Sequence, residues 1–335
     1  MDVQRPYGAP ALEFRANNQA LQEPIEEDLL LESRNPEMSA MLETLERAAA
    51  GESTILLTGE SGTGKDVLTR QIHRWSPRRR GPFVVINCTT LAEHLLEDEL
   101  FGHVRGSFTG AINDKPGRLE AGNGGTVLFD EIAELPTSLQ IKLLHFVQDR
   151  CFERIGSNRI LRVDVRVVVA SNRNLEAEVA AGRFREDLFY RLNVIAFTLP
   201  PLRERTQDVL PFADWLLQRM SIASGRPQLR LSMEAAGALV SYRWPGNVRE
   251  LHNALKRAAD LACSETITLD DLPDSVRHRV SPMCAPAARG TRLKDFEREQ
   301  ILRALAQSPT LGQAAAALGI NVTTLWRKRR QYGIG

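Results

Sequence analysis

Cysteine is scarce and scattered in this chain. Its 335 residues include four, Cys88, Cys151, Cys263 and Cys284, with no C-x-x-C pair and no histidine at ligand spacing. That pattern excludes a disulfide framework and a zinc site, and the four read as reduced bystanders. Long apolar runs are missing as well: no stretch approaches the length that crosses a bilayer, and the N-terminus lacks a signal-peptide core. No membrane partner is expected, and the expected compartment is the cytoplasm. An excess of either charge is also lacking, since 43 Lys and Arg face 42 Asp and Glu for a net +1, so total charge names no partner. There is no internal repeat. What remains, 43% hydrophobic and 25% charged residues, is ordinary globular composition on a chain long enough for two or three domains.

Composition divides the chain. Residues 1–32 carry Pro, Asn, Gln and the acidic cluster Glu26, Glu27 and Asp28, and read as a mostly unstructured leader or remnant linker, too short for a sensory domain. Over 33–200, the strand-like runs 55–58, 83–87, 126–130, 163–171 and 194–199 alternate with helical patterns. Such alternation predicts an α/β domain with a parallel five-stranded sheet covered by helices. The pattern turns helical over 201–279, which suggests a separate subdomain, and 280–290, with Pro282, Pro286 and Gly290, reads as a linker to a last domain over 291–335.

Two motifs define a phosphate chemistry. Gly59-Glu60-Ser61-Gly62-Thr63-Gly64-Lys65-Asp66 joins the first apolar strand to a helical pattern. Glycines let the backbone turn its N–H groups onto phosphate, and Lys65 supplies positive charge for the β and γ phosphates of ATP. Asp66 departs from the general pattern, which places there a hydroxyl that ligates magnesium. The bland alternative is a flexible strand-to-helix turn. A second element weakens it: Gly124-Gly125-Thr126-Val127-Leu128-Phe129-Asp130-Glu131 is an apolar strand ending in two carboxylates. Asp130 can organise the magnesium shell and Glu131 can orient or deprotonate water, although solvated acids at a strand end would look the same.

Between these halves lies Gly106-Ser107-Phe108-Thr109-Gly110-Ala111, a glycine-flanked aromatic with nothing that could hydrolyse ATP, which suggests a loop made to touch something else. At the other end of the chain, an Ala-rich helix over 311–318, a turn at Gly319-Ile320-Asn321 and a helix over 322–332 have helix-turn-helix spacing. Thr323 and Thr324 stand where a recognition helix meets bases, and Arg327, Lys328, Arg329 and Arg330 would serve phosphates; a solvated basic helix end is the alternative. Leu293, Phe296, Ile301, Leu302 and Leu305 form an apolar stripe that serves either a local core or a dimer interface.

From about Ser33 onward the chain resembles the bacterial sigma-54-dependent transcription activators, NtrC-like enhancer-binding proteins of the AAA+ class. The resemblance rests on GESGTGKD, ELFGHVRGSFTGA, GGTVLFDEI, FREDLFYRLNV, LPPLRER and WPGNVREL in that order, and covers about nine tenths of the chain. The segment around Glu32-Ser33-Arg34 and the C-terminal helix also resemble the alginate-regulator branch of response regulators, here without a receiver domain. The resemblance implies an AAA+ P-loop ATPase core, a helical lid and a Fis-like DNA-binding domain. It further implies that Asn87 holds the catalytic glutamate in an inactive pose until the γ phosphate is sensed, and that Asn172 is the first sensor. Arg185 and Arg191 become the pair that supplies an arginine finger to a neighbouring subunit, and Arg249 the second sensor. Strand capping at Asn87 and surface ion pairs at the three arginines remain the alternatives.

The implied cofactors are ATP and magnesium. The implied partners are sigma-54 of RNA polymerase at residues 106–111, enhancer DNA, and further copies of the chain: a dimer through the C-terminal domain and a hexameric ring when active. Ser107 replaces the alanine most common in the family. Two other readings stay open: a DNA-binding repressor of the same fold that does not engage sigma-54, and a generic AAA+ remodeller. The intact loop opposes the first, and the helix-turn-helix the second.

Overall fold

The computed structural model describes residues 33–89, 92–225, 227–262, 264–277, 301, 304–305 and 310–332. The expected leader at 1–32, the linker at 280–290, and Cys263, Cys284, Leu293, Phe296 and Leu302 lie outside the described residues. The chain divides into two compact units, 1–280 and 281–335.

In the larger unit the elements run α1 (Pro36–Ala49), β1 (Ile55–Thr58), α2 (Lys65–Trp75), β2 (Phe83–Asn87), α3 (Glu93–Phe101), β3 (Gly102–His103), β4 (Lys115–Pro116), α4 (Arg118–Ala121) and β5 (Thr126–Asp130). After a 3-10 turn at Ile132–Glu134 come α5 (Thr137–Asp149), β6 (Cys151–Glu153), β7 (Ile160–Arg162), β8 (Arg166–Ser171), α6 (Leu175–Ala180), α7 (Glu186–Leu192) and β9 (Ile195–Thr198). The lid follows, with α8 (Val209–Ser224), β10 (Arg230–Leu231), α9 (Met233–Ser241), α10 (Asn247–Leu261), β11 (Thr266–Ile267) and α11 (Asp274–Arg277).

The five expected strands form one parallel sheet in the order β2-β5-β8-β1-β9. Alternation of side chains divides its residues between two cores. Leu56, Val127, Phe129, Val167 and Val169 enter one, with residues of α3, α5 and α7; Ile55, Leu57, Leu128, Val168 and Ala170 enter the other, with residues of α1 and α2. A sheet buried on both faces explains the nearly unbroken apolar runs. The fourth run was expected from Val163 but its strand begins at Arg166, because the Val163 N–H is bonded to Arg150 and the Asp164 N–H to the Asn123 side chain, away from the ladder. Buried Arg166 is occupied at the end of α1, where its guanidinium bonds the carbonyls of Ala48 and Ala49. The Ala48 carbonyl also accepts from Gly51 N just past the helix, so the cation chiefly serves the Ala49 carbonyl, one of the last-turn groups that an α-helix leaves without an intrahelical partner.

The lid has its own core around Trp244, which is fully buried, donates from its indole to Leu239 O at 2.8 Å and meets the Tyr242 ring edge-on. Val67 of α2 joins this core, tying lid to sheet domain. In the smaller unit, helices span Leu311–Ala317 and Val322–Gln331, each within a residue of its expected bounds. Asn321 caps the second helix through Thr323 N. Ile301 is buried with Ala304, Ala314, Ala315 and Leu325, and Leu305 packs beside them, so this part of the apolar stripe serves a local core.

Candidate functional site

The order of strands sets the site. β1 feeds the glycine loop, β5 ends in the carboxylates, and β8 lies between them, so the C-terminal ends of three parallel strands converge where ligands bind in open α/β sheets. The loop's first residue is pinned to the middle strand by Gly59 N donating to Ser171 O at 3.2 Å. Lys65, buried at the start of α2, donates to Gly59 O at 2.8 Å and Glu60 O at 3.1 Å. Burial lowers its pKa, opposed by the charges of Glu131, Asp130 and Asp66. Asp66 is exposed on the first helical turn, and its carbonyl accepts from Thr69 Oγ1.

Asp130 has its pKa raised, first by burial and then by the neighbouring Glu131 charge, with Lys65 opposing. A carboxylate short of positive charge, beside Glu131, offers the hard oxygen donors that magnesium prefers. Among the described residues no group of three or more His, Cys, Asp or Glu is arranged to hold a metal. Magnesium commonly takes only one or two protein carboxylates, so Asp130 at the end of β5 is a suitable donor for it.

Glu131 adopts the left-handed backbone region at φ 53°, which is uncommon for a side chain of this size. Its Oε2 accepts from Asn172 N at 2.9 Å, and its own N–H donates to Asp130 Oδ1 at 3.1 Å. Glutamate, β8 end and magnesium candidate are thus held as one group. The resemblance led to an Asn87–Glu131 contact; no such hydrogen bond forms among the described residues. Asn87 is in register with Asp130, one residue short, and its Oδ1 accepts from Thr89 N and Oγ1, while Glu131 turns to Asn172. The arrangement here is the strand cap.

The lid closes over the glycine loop. Gly62 has φ +78°, and a Cβ there would lie 2.4 Å from Gly246 O, so no larger residue fits beneath α10. Gly62 O accepts from Val248 N at 2.9 Å, Asn247 Nδ2 donates to Ser61 O at 3.0 Å, and Arg249 Nη1 reaches Ser61 Oγ at 3.0 Å. Arg203 forms a bidentate pair with Glu60, and Arg205 donates to Thr63 O at 2.8 Å. Arg205 is buried beneath the loop and lies over the Phe212 ring; burial pushes its pKa down to about 10, offset in part by Asp208, so it stays charged near neutrality. Arg203, Arg205 and Asn247 were missed as loop contacts in the sequence, although they stand inside LPPLRER and WPGNVREL. Arg249 is brought to the site as expected.

Arg185 and Arg191 lie elsewhere, on α7 and its N-cap. Arg185 pairs with Asp187 at 2.7 Å on the surface, and Arg191 is exposed. Neither is joined to residues 59–66 by a hydrogen bond among the described residues.

The 106–111 loop rises from the β3–β4 ribbon. Gly106 and Gly110 both have positive φ, which gives the tip a shape that L side chains resist, and Gly106 N bonds Ala111 O across its neck at 2.9 Å. Phe108 is 47% exposed and meets the His103 ring edge-on at 5.0 Å, while Ile112 is 75% exposed. His103 is bonded in turn to Asp98 of α3. Burial alone would raise the Asp98 pKa, but hydrogen bonds from Lys115 and His103 prevail and lower it. The loop thus exposes the apolar side chain of Phe108 on its tip and that of Ile112 beside its neck, over a base tied by charged pairs. On the second helix of the smaller unit, Thr323, Arg327 and Arg330 are exposed and Thr324, Lys328 and Arg329 are half-buried, with Arg330 over the exposed Trp326 ring.

The sequence matches three families in series: the Sigma-54 interaction domain over residues 31–198, the AAA+ ATPase lid domain over 203–287 and the Bacterial regulatory protein, Fis family, over 292–332. It is 48% identical over 305 residues to the alginate biosynthesis transcriptional regulatory protein AlgB of Pseudomonas aeruginosa, across 91% of this chain and 68% of that one. The chain belongs to the sigma-54-dependent transcription activators. Another of these activators, the Nif-specific regulatory protein of Azotobacter vinelandii, is 46% identical across 84% of this chain and 55% of its own. Among solved structures, NtrX from Brucella abortus in complex with ATP aligns with a TM-score of 0.68 at 32% identity, covering 91% of this chain and 69% of that one. A sigma-54 activator thus carries here an AAA+ nucleotide-binding domain, its lid and a helix-turn-helix. No helix among the described residues is long and apolar enough to cross a membrane.

Within this sigma-54 activator the serine of the loop has a consequence of its own. Ser107 Oγ is buried with no hydrogen-bond partner, pressed by the β6–β7 turn at Gly156, where a Cβ would stand 2.5 Å from the Ser107 Cβ. A buried hydroxyl without a partner costs about 1–3 kcal/mol, so the packed loop is less stable than with alanine. Ser107→Ala should slow hydrogen exchange of the 106–111 amides about fivefold, from a gain of about 1 kcal/mol. Unchanged or faster exchange would contradict this.

Proposed function

We propose that the chain is an ATPase that binds enhancer DNA and, in a hexameric ring, uses hydrolysis to remodel the closed sigma-54 RNA polymerase complex into the open one. The observation that carries this reading is a short connection between carboxylates and loop. Asp130 pairs in register with Asn87 at the end of β2; the chain then passes through α3 to His103, on which Phe108 rests. α3 is also tied to α5, which follows the carboxylates, through Ser138 to Glu93 and Lys142 to Glu97. A change at the γ phosphate therefore has a rigid helix through which to move the loop.

In this reading the 59–64 backbone and Lys65 bind the phosphates, while Arg249 and Asn172 sense them. Asp130, with phosphate oxygens, would hold magnesium, whose charge offsets that of the transferred phosphoryl group. Glu131 orients and deprotonates the attacking water. Asn87 is placed one strand over to receive the Glu131 carboxylate in another phase of the cycle. Arg185 or Arg191 reaches a neighbour's nucleotide, which makes turnover depend on assembly. The exposed Arg185–Asp187 pair is screened by solvent and opens at little cost. Phe108 and Thr109 meet sigma-54. Thr323 and Thr324 face bases, Arg327, Lys328, Arg329 and Arg330 face phosphates, and dimeric binding at an enhancer raises local concentration at the promoter.

Deleting residues 291–335 tests the division of labour. Site-specific DNA affinity should fall to the non-specific level while ATP turnover of the remaining ring stays within about twofold, because every residue assigned to the nucleotide lies between Gly59 and Arg249. Retained site-specific affinity, measured by footprinting, would refute the assignment.

A further inference from the structure

Gln140 is a fully buried polar side chain on α5 that the reading above does not use. Its Nε2 donates to Leu135 O at 2.8 Å and to Arg183 O at 3.0 Å, and its Oε1 accepts from Arg185 N at 2.9 Å. One planar amide thus satisfies three backbone groups. Its orientation is forced, since a flipped amide would set oxygen against two carbonyls and N–H against N–H. Leu135 ends the Ile132–Glu134 turn that follows Glu131, and residues 183–185 form the turn into α7, which carries Arg185 and Arg191.

A second route joins the same places on the surface. Asn172 N bonds Glu131, Arg173 pairs with Glu134 and approaches Glu178, and Glu178 holds Arg183. Its arginines are 44% and 60% exposed, so solvent screens those pairs, whereas the buried amide has no water to replace its three bonds. The geometry points to Gln140 as a positioning residue for the arginine finger: it fixes the 183–185 turn to the segment following Glu131, so the arginines offered to a neighbouring subunit are held in register with their own subunit's carboxylates. This rests on the proposal that Arg185 or Arg191 acts across subunits.

Mixed rings of the full chain separate the possibilities. Glu131→Gln subunits lack their own chemistry but offer the arginines; subunits with both Arg185→Ala and Arg191→Ala keep the carboxylates but offer none. Mixed, they should recover turnover that neither has alone. Gln140→Glu replaces the donating nitrogen at nearly constant shape by an oxygen that can donate at most once, so the Leu135 and Arg183 carbonyls cannot both be satisfied. Placed in the Glu131→Gln subunit, it should cut the recovered turnover by tenfold or more, up to the ~10²-fold that a small misplacement of a catalytic group costs. Placed in the other subunit it should change recovery less than twofold. Equal loss in both placements marks a merely structural role and overturns the proposal, as does loss confined to the second. No recovery in the parent mixture refutes the trans-acting arginines themselves, and the proposal with them. Where Gln140→Glu lowers the thermal unfolding midpoint, Gln140→Met, which keeps length without polarity, is read in the same two placements.

Discussion

Glu131→Gln lowers ATP turnover by roughly 10²–10⁴-fold, the usual contribution of a general base, and leaves nucleotide binding intact. The amide keeps an oxygen where Glu131 accepts from Asn172 N, so the left-handed turn and the hold on β8 survive. What disappears is the negative charge to which the proposal assigns the orienting and deprotonation of water. Binding should be equal or tighter. The Glu131 charge is one of those that push the Asp130 pKa up and stand beside the phosphate site, and removing it lessens repulsion of a polyanion. Single-turnover hydrolysis together with titration of a fluorescent nucleotide checks both halves. Wild-type turnover in the variant would remove Glu131 from its role, and lost binding would mean that the carboxylate serves the fold.

Thr109→Ala should leave ATP turnover within about twofold yet reduce promoter opening by tenfold or more, as for one of the few hot-spot residues of an interface, whose truncation costs about 2 kcal/mol or more. The argument is local. Thr109 is exposed, and the hydrogen bonds that shape the loop run between Gly106 and Ala111, Ser107 and Val104, and Ala111 and Phe108. Losing the Thr109 hydroxyl breaks none of them. Phe108 is a less clean probe, because its ring also braces His103. ATPase assays and permanganate footprinting of a sigma-54 promoter on the same preparation check the prediction. Normal opening by the variant would refute the assignment of the loop.

The sheet, the glycine loop and the helix-turn-helix were legible because each leaves a local signature. Apolar runs mark β1, β5 and β8, glycine spacing marks residues 59–64, and Gly319 with Asn321 marks the turn. The lid clamp was not. Arg205 and Thr63 lie 142 positions apart, and Asn247 and Ser61 186, so nothing periodic joins them; only packing of the lid core against Val67 brings them together. Gln140 was hidden for the same reason, a polar residue in an apolar helical pattern whose partners are backbone atoms. The Asn87–Glu131 contact came from the resemblance alone. Strand register instead sets Asn87 beside Asp130, and the backbone of Glu131 decides where its carboxylate goes.

The central claim joins hydrolysis at Glu131 to work done at residues 106–111. Permanganate reactivity of the melted region of a sigma-54 promoter, followed with ATP for the wild-type chain, Glu131→Gln and Thr109→Ala side by side, tests it most directly. The account predicts melting by the wild type alone, with ATP consumed at the wild-type rate by Thr109→Ala and hardly at all by Glu131→Gln. Melting by either variant at the wild-type level, or none by the wild type with polymerase, sigma-54 and ATP all present, would contradict it.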